Sequence, residues 1–330
     1  MEPEEIVMKA IVLGANGRME AVERPRPSPK PHELLVAVKA VSVNPIDFKV
    51  RTGLVKAPGI DILGWDASGV VLEAGPVVRG HFSPGDEVYY AGSISKPGTD
   101  AEFHVVDAAL AGRKPKTLTF PQAAALPLTA LTAYEALFEK LEVDFGKTVL
   151  IINGGGGVGS MAIQFAHLAG LHVIASASRQ ETIAWCHRMG ARDVVDHHNL
   201  VESVKRLGRE IHYILNAHNT ELYLDACCEL LGIDGRICSV LRSEKPISLE
   251  GLFAKRLQLS FEYMFAKSLL NSRDRVSQGR ILDQVSAWVD EGKIHHTMSV
   301  HLNGMTADNF EEAHRMIGSG KSYGKIVIEY

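Results

Sequence analysis

Cysteine is scarce in this chain: four thiols, Cys186, Cys227, Cys228 and Cys238, in 330 residues. None has a zinc-ligand spacing, and adjacent Cys227-Cys228 cannot readily aim both sulfurs at one tetrahedral centre. The expectation is reduced, buried thiols and a cytoplasmic protein. No apolar run reaches the ~18–20 residues needed to cross a bilayer, so no membrane span is expected. Blocks of like charge are missing too, and the formal net charge is only −4. That removes any electrostatic reason to expect nucleic acid or an anionic membrane as the main partner. The start, Met-Glu-Pro-Glu-Glu, lacks the basic stretch of a secretory signal and the arginines of a transit peptide. What remains is ordinary for a soluble globular protein: 46% apolar and 22% charged residues, on a length that favours two domains.

Two rhythms divide the chain. The first ~120 residues carry short strand-like runs bounded by Gly, Pro and Asp. These are 8–13, 33–43, 69–72, 86–90 and 101–106, with the proline-punctuated connection Arg24–Pro31 between the first two. Such a series suggests a small barrel or sandwich. Beyond it, apolar strands alternate with helices, beginning with strand 148–152 and helix 158–169. Alternation of this kind implies a parallel sheet covered on both faces, a doubly wound domain. The last 60 or so residues are too few for a core of their own and are expected to return to the first domain. The expected division is 1–122 with 266–330, and 123–265.

The strongest local signal is Val149-Leu-Ile-Ile-Asn-Gly-Gly-Gly-Gly-Val-Gly159. Alone, a G-x-G-x-x-G match is weak, but here an apolar strand precedes it and an amphipathic run follows. Gly154 permits the tight turn, Gly156 leaves room for a pyrophosphate, and Gly159 lets helix and strand pack closely. The helix start at Gly157-Val158 then offers free N–H donors and a partial positive charge. An NAD site typically places Asp or Glu about 20 residues on, to grip the ribose 2′-OH. This chain reads Val173-Ile-Ala-Ser176-Ala-Ser178-Arg179, with no carboxylate until Glu181. Serine and arginine hydrogen-bond and neutralise a 2′-phosphate that a carboxylate would repel, which favours NADPH.

Several blocks in order make the chain recognisable. They are Val43-Asn-Pro-Ile-Asp-Phe-Lys49, Gly64-Trp-Asp-Ala-Ser-Gly-Val-Val71, Phe82-x-x-Gly-Asp-Glu-Val-Tyr89, Ala123-Ala-Ala-Leu-Pro-Leu-Thr129 and Thr132-Ala-Tyr134. With the glycine turn, they resemble the medium-chain dehydrogenase/reductase superfamily, specifically its zinc-independent quinone oxidoreductase branch, often labelled "zinc-type alcohol dehydrogenase-like". The resemblance covers essentially the whole chain. It implies an α/β protein in which a Rossmann domain, a doubly wound parallel sheet, is inserted in a GroES-like β-barrel catalytic domain, with the active site in the cleft between them. In zinc alcohol dehydrogenases of the superfamily, metal ligands match Asn44, Trp65 and a position near Leu128. Amide, indole and aliphatic side chains cannot replace thiolate and imidazole there, so no metal is expected.

Without a Lewis acid, a simple carbonyl is poorly polarised. A quinone or an α,β-unsaturated carbonyl (an enone) instead accepts hydride by delocalising charge onto oxygen before a proton arrives from water. The expected activity is thus a metal-free, NADPH-dependent quinone or enone reductase. Asn44 is the candidate polar group near nicotinamide or substrate, or else a turn residue before Pro45. Asp47 could order the loop or ribose contacts rather than perform proton chemistry, Trp65 line the pocket or pack in the core, and Tyr90 serve as wall or proton donor. Strand alternation was expected to send one of Tyr89 and Tyr90 inward and the other outward. By family analogy Thr129 and Phe265 adjoin the nicotinamide, a protonated His197 adds charge near the adenosine phosphate, and Lys325 reaches the cofactor. Asn216, Ser239 and Leu241 end strands at the carboxyl edge where ligands bind in such sheets. A homodimer joined by sheet edges is the expected assembly, a tetramer the alternative. Competing readings are an NADPH-binding sensor with little turnover and a zinc-dependent alcohol dehydrogenase.

Overall fold

A computed structural model describes residues 6–78 and 80–330. The chain forms two compact units, Met1–Leu128 with Phe265–Tyr330, and Thr129–Met264. The first border lies beyond residue 122 because helix Phe120–Ala124 packs with the barrel. Ala124 and Ala125 share a buried cluster with Ala40 and Val327, and Thr297 donates its hydroxyl to the Ala125 carbonyl at 3.0 Å.

The first unit opens with β1 (Val7–Leu13) and β2 (Met19–Pro25), paired antiparallel. Strand β2 runs into the stretch expected to be a loop, with one face in solvent, and ends at Pro25, which has no N–H for a ladder. There follow β3 (Glu33–Val43), β4 (Ala67–Ala74), β5 (Glu87–Tyr90), β6 (Phe103–Asp107) and β7 (Ala111–Arg113). Strand β3 is the spine and pairs antiparallel with both β4 and β6. Gly69 of β4 lies close against β3, where a Cβ would be 2.3 Å from the Ala37 carbonyl oxygen. Tyr89 and Tyr90 are both fully buried, correcting the expectation that one would face outward. Alternation holds, but β5 is covered on both sides. Tyr89 donates to the Leu282 carbonyl of helix Val276–Asp290 at 2.6 Å, and Tyr90 turns the other way to His104.

The second unit contains β8 (Thr148–Ile152), β9 (His172–Ser176), β10 (Asp193–Val195), β11 (Ile211–Asn216), β12 (Leu231–Ser239) and β13 (Gln258–Phe261). They form one parallel sheet in the order β10-β9-β8-β11-β12-β13. That is the doubly wound order, with its switch point between β8 and β11. Every residue of β8 is buried, as a strand roofed by helices on both faces requires. Leu150, Ile174, Ile214 and Ile237 pack with Leu224 and Cys227 of helix Thr220–Leu230, each buried aliphatic side chain contributing about 1.5–3 kcal/mol. All four cysteines are buried and unbridged. Burial pushes the Cys186, Cys227 and Cys238 thiols up to about 12, which makes them inert packing groups.

The chain then returns to the first unit. Strands β14 (Met298–Asn303) and β15 (Lys325–Glu329) extend its sheet, with β15 antiparallel to β3. Among the described residues no helix is long and apolar enough to cross a membrane.

Candidate nucleotide site and buried catalytic-unit cluster

In the second unit the glycine turn leaves β8 through Asn153, a non-glycine residue at φ 64°. That conformation is held from two sides. The Asn153 N–H donates to the Ser176 hydroxyl at 3.0 Å, and its side-chain amide donates to the Ala217 carbonyl at 3.1 Å. A Cβ on Gly159 would lie 2.2 Å from the Asn153 carbonyl oxygen and one on Gly154 2.7 Å from Ala175 Cβ, so packing demands both glycines. At Gly156 the nearest atom would be the side-chain amide of Asn153, at 2.8 Å, rather than backbone.

Gly156 caps helix Gly157–Leu168 and receives the first helical bond from Ser160 at 2.8 Å. The N–H groups of Gly157, Val158 and Gly159 have no acceptor among the described residues, and the first turn holds no acid. Three free donors at a bare helix start fit the phosphates of a dinucleotide.

The flanking candidates fall into two groups. Ser178 and Arg179 are partly exposed at the end of β9, and Arg179 pairs with Glu181 at 3.1 Å. Such a half-exposed pair is worth roughly 0–1 kcal/mol and yields readily to a stronger anion. Ser176, Asn216, Ser239 and Leu241 are instead engaged by the protein. Ser176 braces Asn153, and Asn216 accepts the His218 N–H at 3.1 Å while donating to the Asn219 carbonyl at 3.0 Å. Thr220 joins the Ser239 hydroxyl at 2.6 Å and also donates to the Leu241 carbonyl. At His197, burial, then the neighbouring His198, holds the imidazole below the usual range.

The first unit carries a buried ionic cluster. Asn44 begins helix Pro45–Arg51, with Pro45 in the first turn where no N–H is needed, and the Asp47 carboxylate accepts the Asn44 N–H at 2.7 Å. The Asn44 side chain is fully used. Its amide donates to the Ser42 carbonyl at 3.1 Å and to Asp66 at 3.0 Å, while its oxygen accepts from the Lys325 ammonium. Lys325 also meets Asp66 at 3.0 Å, and the second Asp66 oxygen accepts the Leu128 N–H at 2.8 Å. Asn44, Asp66 and Lys325 are all buried.

Two expectations change here. Lys325 serves Asp66 and Asn44, because the β15–β3 register sets Ile326 opposite Val43 and so brings the lysine to Asn44. Asn44 consequently has no spare donor for a substrate oxygen. Asp66 was overlooked as a functional group, although an acid within the apolar stretch 62–71 was a visible signal. Desolvation raises its pKa, opposed by Lys325 and the hydrogen bonds. Burial likewise lifts Asp47 to about 7, with one carboxylate oxygen unpartnered.

Tyr90 is also redirected. His104 Nε2 faces the Pro97 carbonyl at 3.0 Å, so it carries the ring proton, and Nδ1 then accepts from the Tyr90 hydroxyl at 3.1 Å. Burial lowers His104 to about 4 and raises Tyr90 far out of the physiological range. The Tyr90 proton is committed to a neutral imidazole and is unsuited to donation. Trp65 is buried edge-to-face against Phe265, with centroids 6.2 Å apart, and its indole N–H has no partner among the described residues. Thr129 is buried in the second unit.

Comparison with known proteins agrees with this architecture. A family model described as an alcohol dehydrogenase GroES-like domain matches residues 30–116, and one described as a zinc-binding dehydrogenase matches 157–276. A zinc-type alcohol dehydrogenase-like protein of Staphylococcus aureus (strain COL) is 36% identical over 328 residues, 97% of each chain. The chain belongs to the medium-chain dehydrogenase/reductase superfamily. Among solved members, a Rhizobium etli CFN 42 protein described as a zinc-dependent alcohol dehydrogenase is 40% identical, with a TM-score of 0.93 over 98% of each chain. The quinone oxidoreductase of Coxiella burnetii is 27% identical, with a TM-score of 0.83 over 98% of this chain and 100% of its own. This medium-chain dehydrogenase/reductase is thus an oxidoreductase of a family that binds nicotinamide cofactors. The zinc in its relatives' names does not suit the residues here. Where the resemblance would place zinc ligands stand an amide already bonded to an ammonium, a buried indole and a leucine. A cation at Lys325 repels a divalent ion where thiolates would attract one.

Proposed function

We propose that this protein is a metal-independent reductase that uses NADPH to reduce an activated carbonyl compound, a quinone or an α,β-unsaturated carbonyl. The observation that carries the reading is the Lys325–Asp66–Asn44 cluster: where the resemblance would place zinc ligands, the amide and the one nearby carboxylate are already bonded to a buried ammonium. Substrates that need a Lewis acid are disfavoured there, and acceptors that spread charge over a conjugated system are favoured. The likeness to a quinone oxidoreductase supports the same class.

The dinucleotide, when bound, supplies hydride. The free N–H groups of Gly157, Val158 and Gly159 hold its phosphates, and the bare Gly156 lets them approach. Ser178 and Arg179 take the 2′-phosphate, the arginine releasing Glu181 as it does so. Thr129 orients the nicotinamide, and in the first unit Phe265 packs edge-to-face on Trp65. Asn44 and Asp47 are positioning residues that fix Lys325 and the helix behind it. With the Tyr90 proton committed to His104, water protonates the reduced product.

The assembly we propose is a homodimer. Strand β13 is bonded on one side only, and Ile233, Leu249, Phe253 and Phe261 are exposed large apolar residues of the segments around it.

NADPH oxidation with 9,10-phenanthrenequinone and simple quinones, compared with enones and aldehydes, tests the activity. Inertness to the whole panel alongside tight NADPH binding would establish the sensor reading instead. Arg179→Ala should raise KM for NADPH about tenfold or more, as expected for loss of a charge-assisted bond, while KM for NADH stays nearly constant. Equal effects on both cofactors would show that Arg179 does not read the extra phosphate.

A further inference from the structure

The second unit carries a group of ligating side chains that the proposed reaction does not use. Strand β10 stops at Val195 on the carboxyl edge of the sheet, and Asp196-His197-His198 follow at once. One Asp196 oxygen accepts the His198 N–H at 2.9 Å, and this bond curls the tripeptide into a short turn. The turn gathers its side chains: one ligand atom from each of Asp196, His197 and His198 lies within 4.8 Å of the other two. The two imidazole rings stand 4.2 Å apart, tilted by 38°.

Neither ring has a hydrogen-bonding partner among the described residues, and the second Asp196 oxygen is equally uncommitted. Other histidines of this unit are tied down, His172 by Asp193 at 2.5 Å and His187 by the Ala191 carbonyl at 3.0 Å. Two uncommitted imidazoles and a carboxylate, converging and reachable from solvent, are the donor set of a borderline transition metal.

We propose that Asp196, His197 and His198 form a binding site for one divalent transition-metal ion of the zinc and cobalt class. Small side-chain adjustments bring the three atoms to coordination distance, and Asp196 keeps its backbone bond through the other oxygen. Three protein ligands leave a tetrahedral ion one open position, for water or an anionic ligand at the sheet's carboxyl edge. Two nitrogen donors select against Mg²⁺ and Ca²⁺, which require oxygen. This site lies in the second unit and is independent of the family's catalytic metal position, which is in the first.

Chelator-treated full-length protein, free of dinucleotide, is titrated with Zn²⁺ by calorimetry and with Co²⁺ by visible absorption. One ion per chain should bind, with ligand-field bands for cobalt and no heat from Mg²⁺. His198→Gln and Asp196→Asn, exposed positions in a turn, should each weaken Kd by about tenfold or more. Histidine-selective NMR should show Zn²⁺ perturbing the His197 and His198 ring nitrogens. Absence of binding tighter than millimolar overturns the proposal. So does binding that both substitutions leave unchanged, or that Mg²⁺ matches. Since no dinucleotide is present, none of these results depends on the NADPH assignment.

Discussion

Lys325 is the residue whose removal should be felt most. In Lys325→Met the ammonium vanishes while Asp66, 0% exposed, keeps only the Asn44 amide and the Leu128 N–H as donors. Solvent cannot screen a carboxylate so placed, and breaking a buried pair from one side typically destabilises by about 3–5 kcal/mol. Removing both partners, in Lys325→Met/Asp66→Leu, should recover most of that loss, because no uncompensated charge remains. The penalty must also depend on pH. Burial already raises the Asp66 pKa against the pull of Lys325, and without the lysine it rises further. A carboxyl group with a raised folded-state pKa contributes stability that is fully present below its unfolded value and lost as pH rises through the folded one. The single variant should therefore be close to wild type near pH 4 and most destabilised at pH 8. Urea unfolding read by tryptophan fluorescence in a Trp185→Phe background isolates the first unit, since the other two tryptophans, Trp65 and Trp288, lie there. A loss under about 1 kcal/mol at pH 8, a loss independent of pH, or a double variant as weak as the single would refute the assignment of Lys325 as the counter-ion of Asp66.

Three further outcomes follow from the same geometry. Gly159→Ala should fold poorly, its Cβ meeting backbone at 2.2 Å, whereas Gly156→Ala, which displaces only the Asn153 amide, should cost less stability but lose dinucleotide affinity; thermal unfolding and cofactor titration separate the two. Asp47, lifted to about 7, should lower native stability as pH rises from about 4 through 7, and Asp47→Asn, which retains an acceptor for the Asn44 N–H, should gain of order 1–3 kcal/mol over wild type at pH 8 and nothing near pH 4. Equal effects at both pH values would show that Asp47 does not resist ionisation. Phe253→Glu, at a position 88% exposed, should leave the fold intact and yield monomers by light scattering if β13 edges join the dimer.

The glycine turn was readable because its pattern is local. Gly159 packs against backbone of the turn itself, at Asn153 and Gly154, whereas Gly154 packs against Ala175 and Cys186 of the strand and helix that follow. The unbroken apolar strand β8 and the alternation after it announced the parallel sheet for the same reason: a strand buried on both faces has no polar side to show. The lack of zinc donors at Asn44, Trp65 and Leu128 was equally a matter of residue identity. Tertiary structure alone decided what fills that place. Lys325 reaches Asn44 across 281 positions and Asp66 across 259, by a strand register that no local pattern encodes. Tyr89 and Tyr90 have the period-2 pattern of a half-exposed strand, yet both are buried, because a helix more than 180 residues later and His104 close the two faces. Periodicity reports which side of an element each residue takes; only the assembled chain determines what stands opposite, and so which charges must find each other once water is gone.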